Sequence, residues 1–259
     1  MRLAQRLSAG VLCLSLAAGA AGALTMYETG FESPTFSTGS INGQDGWTGS
    51  ANIQSSVAYE GSQAVLIQGV QNARRMIDWT GNSDTVRIYD WYGRVDNEVT
   101  AGRTYQHYYG IYSNPSNYNY WTYLLFGNPG DDVSQRLYVI ASYTPGGPST
   151  GSVDTGITVT PDVWHHFRFE WNRVSMEIQW FYDGSRLLPG STFYTIGRAE
   201  NYNLGQWRSQ DYGAPATAEF YTDKLFVVPE PSSALLMALG GAGVLGLIGL
   251  SGSRRVRRT

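Results

Sequence analysis

Cysteine is nearly absent from this sequence. The only one, Cys13, lies in an apolar N-terminal stretch. The rest of the chain therefore has no disulfide to support it outside a cell, and its stability has to come from a sizeable core. Histidine is also scarce, with three in the chain, so zinc hydrolase chemistry has little material. Charged residues make up only 15% against 42% hydrophobic and 14% aromatic, which excludes a disordered polyampholyte, a coiled coil and a collagen-like fibre. No stretch sustains a 3.6-residue hydrophobic period, so helices are not expected to build the fold. The 259 residues fit one large domain or two small ones. The net charge of −3 averages unlike regions: without Arg2, Arg6, Arg254, Arg255, Arg257 and Arg258 the chain carries 12 basic and 21 acidic residues, −9. A body that acidic does not suit nucleic acid or anionic lipid.

Both ends read as addresses. Residues 1–23 have a basic start, an uncharged Leu- and Ala-rich run, and small residues at Ala21-Gly22-Ala23, the pattern of a cleaved secretory signal peptide. At the other end Pro229-Glu230-Pro231 precedes an uncharged run, 234–250, and then Arg254, Arg255, Arg257 and Arg258. As a helix that run is about 25 Å long, enough for a short membrane span. Glycines at 240, 243, 246 and 249 give it a smooth face for close helix contact. The arginines hold their end in the cytoplasm and place the rest outside. The prolines bracketing Glu230 favour an extended, accessible peptide.

This three-part tail, residues 229–259, resembles the PEP-CTERM sorting signal. The resemblance implies recognition and cleavage near Pro229-Glu230-Pro231 by exosortase, an integral membrane enzyme of Gram-negative bacteria that make extracellular polysaccharide. The expected route is export, anchoring in the inner membrane through the C-terminal helix, then release to the cell surface or matrix.

Residues 24–228 read as one all-β domain. Period-two alternation marks a strand around 86–91 and others at 104–112, 118–126, 135–141 and 218–227. In the hairpin from 163 to 182, Phe167, Phe169 and Trp171 point one way, and Val174, Met176, Ile178 and Trp180 continue the pattern after a turn at Asn172-Arg173. Asp183-Gly184 then signals a tight turn. Ten or more strands with frequent turns predict a two-sheet antiparallel sandwich. The segments Trp164-His165-His166-Phe167, Phe181-Tyr182-Asp183-Gly184 and Phe220-Tyr221-Thr222-Asp223, with Gly30-Phe31-Glu32 near the start, resemble the concanavalin A-like, or laminin-G-like, jelly roll.

That resemblance brings glycanases and lyases into view, but the carboxylates are poorly arranged for them. A retaining glycosidase needs two carboxyl groups about 5–5.5 Å apart. Beside Glu177 stands Gln179, and beside Glu170 only Asn172, so both glutamates read as solvent-facing strand positions. His107 among tyrosines could serve a lyase as base, yet reads more simply as cross-strand packing. His165 and His166 point to opposite faces and cannot easily chelate one ion. The domain is therefore expected not to be an enzyme. Calcium is the plausible ion, with Asp131 and Asp132 in a loop as its candidate ligands. The 9 Phe, 8 Trp and 18 Tyr are too many for one inner face, so some are expected outside, where rings stack on sugars. Trp91, Tyr109, Tyr112, Tyr120 and Trp207 are the candidates. The expected function is a non-catalytic exported sandwich associated with extracellular polysaccharide. A structural, self-associating surface protein is the alternative, followed by a glycan hydrolase or lyase.

Overall fold

The structure is a computed structural model that describes residues 25–82, 85–96, 107–112, 121–127, 136–196, 204–211 and 219–229. Among these the strands are β1 (Tyr27–Thr29), β2 (Gly39–Ser40), β3 (Trp47–Gly49), β4 (Asn52–Gln54), β5 (Ala64–Gln68) and β6 (Asn72–Asp78). Next come β7 (Val86–Val95), β8 (His107–Tyr112), β9 (Trp121–Phe126), β10 (Arg136–Ile140), β11 (Ser152–Thr158) and β12 (Trp164–Asn172). The last are β13 (Glu177–Tyr182), β14 (Ser185–Arg186), β15 (Phe193–Tyr194), β16 (Leu204–Asp211) and β17 (Glu219–Pro229). The only helical element described is a single 3-10 turn, Gln44–Gly46.

The larger sheet has ten strands, in the order β14-β13-β12-β7-β17-β5-β4-β2, with β1 also on β17 and β15 on β13. The smaller has seven, in the order β11-β10-β9-β8-β16-β6-β3. The pairings are antiparallel, including the long ones of β7 with β12 and β17 and of β16 with β6 and β8. The predicted two-sheet antiparallel sandwich is thus observed.

The pleat sends alternate residues into one core. From β12 these are His165, Phe167, Phe169 and Trp171, as the alternation predicts, while β7 contributes Tyr89, Trp91 and Val95. The smaller sheet contributes Tyr109, Ile111, Leu124, Phe126 and Trp207. Trp91 is fully buried where the sheets meet, with ring centroids at 4.9 Å from Tyr109, 5.9 Å from Phe167, 6.1 Å from Trp180 and 5.9 Å from Trp207. Exposure was expected of Trp91, Tyr109 and Trp207. Their burial corrects that expectation, because the sheet parity points all three inward.

The hairpin differs from its reading in one respect. Strand β13 begins at Glu177, so Ile178 and Trp180 face the core as expected, but Val174 lies exposed in the turn and Met176 takes a positive φ of 60°. The Asp183-Gly184 turn is as predicted, with φ of 46° and 76° at its two residues and Tyr182 paired to Ser185. Asp183 locks it: its carboxylate accepts the His166 N–H at 2.8 Å and meets His165 Nδ1 at 2.8 Å. The Trp-His and Asp-Gly motifs are therefore fold-building.

Strand β17 runs to Pro229, which is buried and opposite Arg87 in β7. Pro229 thus closes a strand rather than opening a free peptide. Residues 1–23, Glu230, Pro231, the 234–250 run and the terminal arginines lie outside the described residues. Among the described residues no helix is long and apolar enough to cross a membrane.

Truncating Trp91 to Ala should cost about 3–5 kcal/mol of stability, through lost burial and the cavity left behind. Chemical denaturation of the variant against the parent measures it.

Candidate functional site

Each sheet turns one face outward, and the two faces differ in how their polar groups are satisfied. On the larger sheet Tyr59, 40% exposed, stacks on Tyr92 at 3.7 Å with the planes 13° apart, and meets the edge of Trp164 at 5.9 Å. His166 lies beside Tyr92 and bonds Asp90 Oδ1 at 2.6 Å. Arg168 pairs with Glu170 at 2.5 Å, and Arg94 with Asp96 and Asp162 at 3.0 and 3.3 Å. Each of these charges already has its partner.

Tyr59 is carried by a loop that two carboxylates clamp. Asp223 Oδ2 accepts the N–H groups of Tyr59 and Glu60 at 3.0 and 3.3 Å. Glu32 accepts Ser62 N–H, Ser62 O–H and Gln63 N–H at 2.8, 2.7 and 2.9 Å. Gly61 makes this possible: its φ is +71°, and a Cβ there would come within 2.4 Å of Glu32 Oε1. Beside the clamp, Glu28, Glu32, Glu60 and Lys224 border a cavity of about 210 Å³. Burial pushes Asp223 up to about 6, outweighing its backbone donors. Burial also pushes Glu32 up, but the Ser62 and Gln63 bonds more than reverse it and hold it below the ordinary value.

The outer side of the smaller sheet is built differently: Tyr108, Tyr112, Leu125, Tyr138, Gln206 and Arg208 are buried there, and Tyr108, Leu125 and Tyr138 pack as a second, small hydrophobic cluster. One cross-strand row runs Asn72, Gln210, Tyr108, Leu125, Tyr138. The next runs Arg74, Arg208, Gly110, Tyr123, Ile140, and a third Met76, Gln206, Tyr112. The tyrosine hydroxyls converge. Tyr108 donates to Gln210 Oε1 at 3.0 Å and lies 3.3 Å from Tyr112, whose hydroxyl is 2.9 Å from Tyr123. Gly110 permits this, since a Cβ there would sit 2.9 Å from the Tyr123 ring and 3.1 Å from that of Tyr108. Burial raises the Tyr108 hydroxyl far above its ordinary value, so it is a neutral donor.

Arg208 is 8% exposed and sits between the Tyr108 and Tyr112 rings, 5.8 Å from each centroid. One of its nitrogens donates to Tyr112 at 3.5 Å, while the Nε atoms of Arg208 and of Arg74 are buried without a partner. Hydroxyls, amides, guanidinium groups and ring faces together are the groups that bind a polyhydroxylated ligand.

Of the aromatic candidates, only Tyr112 lies on this face, at 2% exposure. Trp91, Tyr109 and Trp207 are core, and Tyr120 lies outside the described residues. Asp131 and Asp132 lie outside them too, and among the described residues no group of three or more His, Cys, Asp or Glu side chains is placed to hold a metal. His107 is fully buried, stacked on Phe220 at 4.1 Å and 2.8 Å from Ser209 Oγ, with burial holding it down to about 3. A neutral, sealed imidazole cannot serve as a solvent-facing base. Glu170 and Glu177 stand on the solvent side as expected, lining a shallow 230 Å³ pocket with Asn172 and Gln179. Sequence reasoning missed Tyr59, Arg74, Tyr108, Tyr123, Arg208 and Gln210. The Gln-x-Arg-x-Gln spacing of 206, 208 and 210 is the one signal that could have marked the face.

No protein-family model matches the chain, and no curated protein is significantly similar to it. Among solved structures, one described as the conserved carbohydrate esterase from the Shiga toxin-encoding bacteriophage phi24B is similar over 81% of this chain and 100% of its own, at 17% identity and a TM-score of 0.53. That likeness shows a common fold. Looser likenesses join 78% of the chain to 97% of cellulose induced protein Cip1, at 14% identity and a TM-score of 0.47, and 71% to 95% of carbohydrate binding module CBM66 from Bacillus subtilis, at 8% and 0.41.

The Asp223 carboxyl gives a pH prediction. Its folded value of about 6 exceeds the ordinary 3.8, so its stabilising contribution is complete below about pH 4 and is lost as pH rises towards 6. Melting curves across that window should show Asp223→Asn, which cannot ionise, removing this part of the decline.

Proposed function

We propose that this is an exported glycan-binding protein whose site is the outward face of the smaller sheet and which carries out no catalytic step. The observation that supports the reading best is the convergence of Tyr108, Tyr112 and Tyr123 hydroxyls with Gln210 and Arg208 on the outer side of the smaller sheet, where Tyr108, Tyr112 and Arg208 are themselves largely buried. A fold in common with a protein described as a carbohydrate esterase is in keeping with it. The larger sheet's face, with its charges paired, serves as scaffold.

The proposal extends to the route. A signal peptide over residues 1–23 starts export, and a PEP-CTERM tail over residues 229–259 holds the protein in the inner membrane until exosortase cuts near Pro229-Glu230-Pro231. The product then joins the cell surface or the extracellular polysaccharide. Calcium, if Asp131 and Asp132 bind it, would be structural.

Calorimetric titration of the full-length protein with a panel of purified polysaccharides should give saturable binding. Tyr112→Phe and Gln210→Ala should each weaken it about 3- to 10-fold, the loss of one hydrogen bond, while Tyr59→Ala leaves it unchanged. Loss of binding with Tyr59→Ala alone would move the site to the other sheet, and release of reducing ends or unsaturated uronate would show an enzyme. Fractionating cells that carry Glu230→Ala should reveal uncut protein building up in the inner membrane.

A further inference from the structure

Strand β17 leads the chain out of one end of the sandwich. Its last residue, Pro229, lies opposite Arg87 at the start of β7, and β12 ends beside it at Asn172, opposite Val86. Backbone bonds stitch the loops at this end together. The Arg173 N–H donates to Thr85 O at 3.0 Å, the Thr195 N–H to Met176 O at 2.9 Å, and Ser142 and Tyr194 exchange two bonds at 2.9 and 2.8 Å. The loops thus form one cap, and two large apolar side chains project from it. Val174, 72% exposed, is held out by Asn172 Oδ1, which accepts the Val174 and Ser175 N–H groups at 3.0 Å each. Tyr143, 57% exposed, leans on Phe193 with ring centroids 5.5 Å apart.

The cap is also short of charge. Segments 79–82, 141–151 and 173–176 contain no acidic residue and one basic one, Arg173. The other end of the sandwich exposes Val70 and Val163, but there they stand among the carboxylates of Asp96, Asp162 and Glu219. An apolar, weakly basic surface suits a lipid headgroup layer, which repels carboxylates. The tether is short. Five Cα steps separate Pro229 from Ala234, at most about 17 Å. A helix over 234–250 is about 25 Å long against a hydrocarbon core of about 30 Å, so its flanks are drawn into the interface and use up part of that length. We propose that, while the tail is intact, this end of the sandwich docks on the outer surface of the inner membrane with Tyr143 and Val174 in the headgroup layer. The inference rests on the PEP-CTERM reading of the tail and adds the orientation of the domain. Two side chains bury too little apolar surface to hold a domain on lipid unaided, so the contact ends when the tail is cut. While it lasts, it keeps Pro229 at the bilayer surface, within reach of an integral membrane enzyme, and turns the acidic end outward.

The test uses the full-length chain with Cys13→Ser, reconstituted into phosphatidylethanolamine–phosphatidylglycerol vesicles. A nitroxide is attached through Val174→Cys, Tyr143→Cys or, at the far end, Val163→Cys. Flotation with the vesicles, lost on deleting 234–250, reads insertion of the tail; collisions of the nitroxide with oxygen and with a water-soluble nickel chelate read depth. The labels at 174 and 143 should lose most of their nickel collisions and gain oxygen collisions, while the label at 163 behaves as an exposed site in water. Val174→Asp should lift the cap from the lipid and return the label at 143 to aqueous values. Positions 143, 163 and 174 are exposed, so these changes leave the core intact. Flotation with all three labels equally open to nickel overturns the docking and leaves the tail reading standing. Shielding of 174 and 143 that appears only when exosortase is added assigns the cap to the enzyme and overturns the lipid contact. No flotation, or flotation that survives the deletion, overturns the tail reading and this inference together.

Discussion

The packing of Trp91 against Tyr109, Phe167, Trp180 and Trp207 is the contact on which the other features depend. It joins the two sheets without a disulfide, and it fixes which residues of β7, β8, β12, β13 and β16 point inward. Because the side-chain period of a strand is two, a fixed inner set also fixes the outer set. With Trp207 and Ser209 directed into the core, Gln206, Arg208 and Gln210 have only the outside to occupy. The chemistry of the outward face is thus a by-product of the core's aromatic parity.

The two faces solve the problem of surface charge in opposite ways. Across β7 and β12 carboxylates and cations alternate, so each charge finds a neighbour within its own sheet. Across β6 and β16 the polar residues are arginines and amides, with tyrosines beyond them. Folding leaves the first face self-sufficient, while on the second Arg136 is paired with Asp154 but the Arg74 and Arg208 Nε atoms have no acceptor. A difference of this kind, between surfaces built from the same pleated geometry, separates scaffold from site better than aromatic content does.

Much of the fold was legible. The alternation of β12, the Asp-Gly turn, the all-β class and the two sheets follow from local patterns. The site was less so. Tyr108 and Tyr109 are adjacent and chemically alike, so the sequence offers no reason to send one outward and the other inward; their cross-strand neighbours decide it. Strand β16 escaped notice because Leu204–Asp211 has no hydrophobic alternation to detect: its inner residues include Ser209, and its outer ones are Gln, Arg and Gln. The polarity that hid the strand is the polarity that makes it interesting. Trp91 and Trp207 misled for the reverse reason, since polar sequence neighbours say nothing about which face the indole itself takes.

Strand β17 lies between β7 and β5 in the larger sheet, yet it is the last strand of the domain to be synthesised. Until it arrives, β7 and β5 are separated by an open slot and cannot close into a continuous sheet. A chain threaded through a membrane from its N-terminus would therefore stay incompletely paired for nearly its whole passage, and folding would finish in one late insertion on the far side. The strand order works as a timing device: it leaves the larger sheet open until β17 arrives, and it makes that strand the keystone of the finished sheet.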